Sequence, residues 1–202
     1  MDPSSERPAR RRPTRAQTRQ KVLDAALEVF GEQGIQGGSL DAVAEAGRLS
    51  KGAIYSNFTS KTELVVTLVQ ENVLNRVGLG LEAVSHARDP RDALTLLSEA
   101  MTRALKDDQV RHRLVAELYC LAHRDPQLAE ALKASRIRAR ARGAESLRQG
   151  AEFLGITLPM PAEHLIVVLI ALHNGLAMEW GIDHDAVPDH LFASVVVPTI
   201  LR

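Results

Sequence analysis

The apolar residues of this 202-residue chain recur at three- and four-residue spacing along its length. Two of the stripes are Val22, Leu23, Ala26, Leu27 and Phe30, and Leu94, Leu97, Met101 and Leu105. This period places side chains on one face of an α-helix. The run from Val195 to Val197 looks strand-like alone, but its apolar surroundings also suit a buried helix. The pattern therefore predicts an all-α fold.

Capping residues separate the predicted helices. Two junctions pair a capping aspartate with proline at the first helical position: Asp89-Pro90 and Asp125-Pro126. Gly31 and Gly34 are expected to end the first helix. Ser60 and Glu63 fit a capping box, which predicts a fourth helix that runs to about His86.

Charge is unevenly distributed along the chain. The 25 Lys and Arg residues balance the 25 Asp and Glu residues. Within residues 1–21, however, seven basic and two acidic residues give a net charge of +5, so the remainder carries −5. Residues 1–14 contain three prolines, four arginines and no apolar period, which predicts a disordered basic arm. We expect an anionic partner at this end of the chain.

Several classes of protein are disfavoured. Cys120 is the single cysteine, so an intrachain disulfide is excluded and a cytoplasmic location is expected. The longest purely apolar run, Leu165 to Leu172, has eight residues, whereas about 20 are needed to cross a membrane. We find no catalytic, phosphate-binding or metal-binding motif. We therefore expect no enzyme activity, no metal, no cofactor and no membrane association.

Three short helical segments lie near the N-terminus, and a tight turn separates the second from the third. This arrangement predicts a helix-turn-helix motif at about residues 39–58. Small and polar side chains follow Ser50, which would let the backbone approach bases; Gly52 there costs about 1 kcal/mol relative to Ala in a helix. The hydroxyl of Tyr55 can bind phosphate. The predicted contacts to double-stranded DNA are Arg15, Ser39, Ser50, Lys51, Gly52, Ala53, Tyr55, Ser56, Asn57 and Lys61.

Residues 18–64 resemble the N-terminal domain of the tetracycline-repressor (TetR) family. The resemblance is carried by the stretches 22–30, 39–44, 50–58 and 60–64. It implies an all-α homodimer in which the third helix reads the major groove, the fourth joins the DNA-binding domain to the body, and the last two helices form a four-helix interface. One position departs from the family: Arg48 replaces the usual turn glycine. A left-handed conformation there would cost about 1 kcal/mol.

We therefore expect three parts: the arm 1–14, a helix-turn-helix DNA-binding domain 15–62, and a helical ligand-binding and dimerisation domain 63–202. The segments 162–180 and 188–201 are too apolar to face water alone. They are expected to form the homodimer interface, the alternative being burial inside a monomer.

Soft, aromatic and polar side chains interrupt the apolar helices of the body. They suit a pocket for a small apolar or amphipathic ligand, although each also suits an ordinary core or interface. These candidates are Met101, Tyr119, His123, Phe153, His173, Asn174, Met178 and Trp180. The sequence thus predicts a regulator that binds near-palindromic DNA as a repressor and is released by a ligand. The alternative is a constitutive or architectural DNA-binding regulator without a sensory ligand.

Overall fold

The computed structural model describes residues 14–70 and 87–201, and every regular element in those ranges is an α-helix. The all-α prediction is confirmed. The helices are α1 (Arg15–Gly37), α2 (Leu40–Ala46), α3 (Lys51–Tyr55), α4 (61–70), α5 (Pro90–Asp107), α6 (Gln109–Ala122), α7 (Pro126–Leu154), α8 (Ala162–Trp180) and α9 (Leu191–Ile200). The arm, except for its last residue, and the extension of α4 to His86 lie outside the described residues.

Local hydrogen bonds set the start of most helices, as the caps in the sequence predict. Asp89 accepts from the Asp92 amide at 2.9 Å, and Asp125 accepts from two amides at the start of α7. The α4 capping box differs in one detail. Ser60 Oγ accepts from the Glu63 amide at 3.0 Å, but the Glu63 carboxylate accepts from the amide and hydroxyl of Thr59, not from Ser60. These bonds from Thr59 lower the pKa of Glu63.

Helix α1 does not end where its glycines predicted. It breaks at Gly34, whose φ of 74° and ψ of 168° are not helical, and then makes a further turn to Gly37. The extra turn persists because Ile35 is buried in the core and its amide is hydrogen-bonded to Glu117 of α6. A contact distant in sequence therefore extends the helix past its local stop signal.

One hydrophobic core joins the N-terminal helices to the body. Its buried members come from α1 to α4 and also from α6 and α7, including Leu114, Leu118, Leu128 and Leu132. The cluster therefore extends across the predicted domain boundary at 62. A second cluster joins α5, α8 and α9 around Leu165.

Two glycines in α7 predict opposite responses to the same substitution. A Cβ at Gly143 would lie 2.7 Å from Cγ1 and Cδ1 of Ile166 in α8, whereas a Cβ at Gly150 would meet nothing within 4 Å. Gly143→Ala is therefore expected to lower the free energy of unfolding by about 1–3 kcal/mol through overpacking. Gly150→Ala should raise it by up to about 1 kcal/mol through helix propensity. Urea denaturation of both variants measures this difference, and equal effects would contradict the α7–α8 packing described.

Candidate DNA-binding interface and body cavity

Helices α2 and α3 have the geometry of a helix-turn-helix. Ser39 and Ser50 are the N-cap residues of these helices and have extended backbone conformations. The side-chain hydroxyl of each accepts a hydrogen bond from a backbone amide at 3.1 Å. Between the helices, Arg48 adopts a left-handed conformation with φ of 50°, and the Leu49 amide donates to the Ala44 carbonyl at 2.8 Å. The turn expected from the sequence is therefore retained, although a non-glycine residue occupies its left-handed position.

Arg48→Gly is expected to stabilise the protein. Glycine adopts positive φ without a steric penalty, whereas an L-residue pays about 1–2 kcal/mol there. Glycine also makes the unfolded chain more flexible, so we expect a net gain of about 0.5–1 kcal/mol, measured by urea denaturation. Arg48→Ala is the matched control, because it removes the same side chain but keeps the strain. An Arg48→Gly variant no more stable than Arg48→Ala would contradict the left-handed backbone conformation assigned to residue 48.

The outer face of α3 exposes side chains that can reach a nucleic acid. Lys51, Gly52 and Ser56 are exposed, and Tyr55 is 55% exposed, a large fraction for an aromatic ring. A Cβ at Gly52 would come no closer than 3.9 Å to Ser50 Oγ, so packing inside the protein does not require glycine there. Ile54 points the other way into the core. The arrangement leaves one face of the helix free for a partner.

Lys51 is held by a residue that the sequence did not single out. Its Nζ lies 2.7 Å from Asp41 of α2, and both side chains are well exposed. This hydrogen bond raises the pKa of Lys51. The ten-residue separation in sequence gives no local signal for the pair, which forms because the turn brings α2 beside α3.

Three other residues predicted to contact DNA also make hydrogen bonds within the protein. The Arg15 guanidinium donates to the Ser56 carbonyl at 3.3 Å, and Asn57 donates to the Ala53 carbonyl at 2.9 Å. Lys61 is only partly exposed and donates to the Gln36 carbonyl at 3.2 Å. These side chains already have protein partners in the free chain.

The Lys51–Asp41 pair predicts opposite effects of two substitutions on DNA affinity. Lys51→Ala removes a cation, so we expect about tenfold weaker binding. The slope of log affinity against log salt concentration should also become shallower by about one, because one phosphate contact is lost. Asp41→Asn removes the anion that holds Lys51 and should tighten binding a few-fold. Fluorescence anisotropy at several salt concentrations measures both. If both variants weaken binding equally, the pair serves the fold of the motif and not DNA recognition.

A cavity of about 170 Å³ lies in the body, between α5, α7, α8 and α9. Its walls are almost entirely apolar; the polar side chains are Ser146, His173 and Asn174, and among the described residues no charged side chain lines it. Cavities of this order lined by aliphatic side chains can hold a small apolar molecule. Three of the eight predicted ligand residues line it: Met101, His173 and Asn174.

The other five predicted ligand residues do not line this cavity. Phe153 is 77% exposed and Met178 is also exposed. Trp180 stacks on His184 with ring centroids 4.1 Å apart. Tyr119 packs against the N-terminal core and under Arg136, and the His123 ring bonds the carbonyl of Tyr119. Their residue types suited a pocket, but their helical phase directs them elsewhere.

Sequence reasoning missed most of the aliphatic and small residues that form the cavity. Gly143, Leu147, Gly150 and Leu154 contribute one wall, at helical spacing along α7. The signal was present as a face of alternating glycine and leucine. It differs from a core stripe in that a Cβ at Gly150 would meet nothing within 4 Å, which the sequence does not show.

Two family models together match most of the chain. The model described as bacterial regulatory proteins, tetR family, matches residues 22–68. A second, described as the C-terminal part of a BetI-type transcriptional repressor, matches residues 90–197, more than half of the chain.

Known proteins give the same result. The chain is 35% identical over 105 residues to the transcriptional regulator AcrR of Shigella flexneri, covering 50% of this chain and 47% of AcrR. It is 31% identical over 119 residues to the transcriptional activator FasR of Mycolicibacterium smegmatis, covering 59% of this chain and 53% of FasR. The matches thus span about half the length of these two relatives, and both relatives regulate transcription.

A solved structure extends the likeness to the whole fold. The fatty acid degradation regulator FadR from Bacillus halodurans superposes with a TM-score of 0.67 at 19% identity. The superposition covers 91% of this chain and 94% of that one.

Proposed function

The chain belongs to the TetR family of bacterial transcriptional regulators, and we propose that it binds operator DNA as a homodimer and releases it when an apolar ligand occupies its body. The observation that carries this proposal is the exposed face of α3, with Lys51 and Tyr55 one turn apart on a capped helix-turn-helix. Such a helix enters the major groove, and its cations and hydroxyls contact phosphate. The protein would act in the cytoplasm, where its DNA lies.

Repression is the mode of action that we favour. The C-terminal model, which covers residues 90–197, describes transcriptional repressors. FasR, by contrast, is named an activator, so the family includes both modes. A dimer that covers promoter DNA blocks transcription without any further contact, and this is the simpler mechanism.

Apolar faces on α8 and α9 support dimerisation. Along α8, His164, Val168, Ala171, Gly175 and Met178 are exposed at alternating four- and three-residue spacing. On α9, Ser194, Val195 and Pro198 are exposed. A two-fold partner presenting the same faces would bury both in a four-helix interface.

Helix α8 also meets the length and composition requirements for crossing a membrane. The core helix of a soluble protein meets the same requirements. The C-terminal repressor model includes this helix, so we assign its exposed apolar surface to a protein interface.

The cavity defines the class of ligand that we propose. A charged group buried against its aliphatic walls would lose its hydration without gaining an opposite charge, and its binding would be strongly disfavoured. Asn174 and the imidazole of His173 can serve one hydrogen-bonding group. We therefore propose an uncharged, largely hydrocarbon ligand with a single polar group.

A continuous set of contacts can carry the ligand signal to the DNA-binding helices. The ring of His173, in the cavity wall, lies 5.3 Å from the ring of His112 in α6. Further along α6, Leu114 and Leu118 belong to the core shared with α1. A ligand that favours one position of α6 would thereby shift the DNA-binding domains between two arrangements.

The proposed DNA binding can be tested by fluorescence anisotropy. The affinity for the DNA upstream of the protein's own gene is compared with the affinity for a scrambled duplex, at two salt concentrations. We expect salt-sensitive binding that prefers the upstream DNA. Equal, weak binding to both duplexes, with no preferred sequence recovered from a random duplex library, would favour the architectural alternative.

Thermal unfolding with 1-octanol and with octanoate tests the proposed ligand class. The two probes share a chain length but differ in charge. We expect octanol to raise the melting temperature and to release DNA, and octanoate to do so much less. Equal effects of both probes would overturn the assignment of an uncharged ligand.

A further inference from the structure

Helix α1 breaks at Gly34, and the two backbone amides that follow the break donate to a residue of the body. The amide of Ile35 lies 2.9 Å from both carboxylate oxygens of Glu117, and the amide of Gln36 lies 3.3 Å from one of them. A carboxylate that accepts hydrogen bonds from backbone amides at the start of a helical turn makes charge-assisted bonds, which are stronger than hydrogen bonds between neutral groups.

The surroundings show that this contact is built for close approach. A Cβ at Gly34 would lie 3.3 Å from both oxygens of Glu117, so a side chain at residue 34 would crowd the carboxylate as well as strain the backbone. Three residues earlier, a Cβ at Gly31 would lie 2.6 Å from Cγ1 of Val110 in α6. The two glycines therefore let α6 lie directly against α1.

The turn held by Glu117 is also the junction that leads to the helix-turn-helix. Its Gln36 carbonyl accepts from Lys61 at the start of α4. Two residues beyond the turn, Ser39 caps α2. A small rotation of this turn would therefore be transmitted to α2 and α3 together.

We propose that Glu117 is a positioning residue that sets the orientation of the DNA-binding domain on the body, and thereby the half-site spacing that the dimer accepts. This inference rests on the proposed function, because it requires a dimer that reads two half-sites. Half-sites lie about one helical turn, or 34–36 Å, apart. One inserted base pair shifts a half-site by about 3.4 Å along the axis and by about a tenth of a turn around it.

The test compares Glu117→Ala, Glu117→Gln and wild type on a duplex selected by the wild-type protein from a random library. Two further duplexes carry one base pair more or less between the half-sites. Wild type is expected to lose about tenfold or more in affinity on the altered spacings. For Glu117→Ala this penalty should fall below about threefold. Glu117→Gln keeps the shape and one acceptor oxygen, so its penalty should be intermediate.

Glu130→Ala is the matched control, since Glu130 is an exposed carboxylate of α7 that pairs with Lys133. It removes the same charge from the body and should keep the wild-type spacing penalty. Glu117 variants that keep the wild-type penalty, or lose affinity equally on every spacing, would overturn the inference. If Glu117→Ala does not fold, Glu117→Gln tests the inference instead: a spacing penalty smaller than that of wild type supports it, and the wild-type penalty overturns it. Failure of the wild-type protein to select any duplex would instead overturn the proposed function.

Discussion

Val168→Arg is expected to convert the protein to a monomer and to weaken operator binding by about 100-fold or more. Val168 is 50% exposed in the middle of the apolar face of α8, so an arginine there can be accommodated in the isolated chain. A two-fold interface contains every substituted residue twice, so the variant would bury two like charges in an apolar contact. Two linked half-site contacts would then become independent, which removes the avidity of the dimer.

Sedimentation velocity gives the oligomeric state, and anisotropy gives the affinity. Ile137→Arg is the matched control, because Ile137 is similarly exposed at 52% but belongs to α7, which is not part of the proposed α8 and α9 interface. The control should remain dimeric and bind DNA normally. A dimeric Val168→Arg variant would mean that the exposed face of α8 is not the dimer interface.

Tyr55→Ala is expected to weaken DNA binding by about 10- to 100-fold while leaving the dimer and the fold intact. The ring is 55% exposed at the end of α3, so its removal opens no core cavity. Rigid aromatic side chains lose little entropy on binding and often dominate an interface. Unchanged thermal unfolding and sedimentation would confirm that the loss is confined to the DNA contact.

Tyr55→Phe separates the two parts of the side chain. If the hydroxyl binds phosphate, Tyr55→Phe should lose part of the affinity, uniformly across DNA sequences. If the ring alone matters, Tyr55→Phe should bind like wild type. Wild-type affinity in Tyr55→Ala would remove Tyr55 from the proposed interface, and a monomeric Tyr55→Ala would mean that the DNA-binding and dimerisation roles are not separate.

Much of the fold could be predicted because its determinants act over three or four residues. Ser39, Ser50 and Asp89 each cap a helix through the amide three positions later. A hydrophobic period of the same length distinguishes helix from strand. The resemblance over residues 18–64 then identified the family, which the matched models confirm.

The lining of the cavity was predicted less well, because residue type does not determine the direction of a side chain. Phe153 is exposed, whereas its neighbours Ala151 and Leu154 line the cavity. Each successive residue of a helix points about 100° further around the axis. Residues one or two positions apart can therefore face the cavity and the solvent respectively. Polar and aromatic types drew attention to Tyr119 and Trp180, while aliphatic and glycine residues form most of the cavity wall.

The sequence by itself determined most of the helix starts, the helix-turn-helix and the family, since these depend on neighbours along the chain. Only the tertiary structure decided which faces meet. It brought Glu117 to Ile35, 82 residues away, and Asp41 to Lys51. It also enclosed the cavity between four helices. Such contacts depend on the packing of whole helices against each other, and a one-dimensional pattern specifies which side chains are apolar but not which of them will touch.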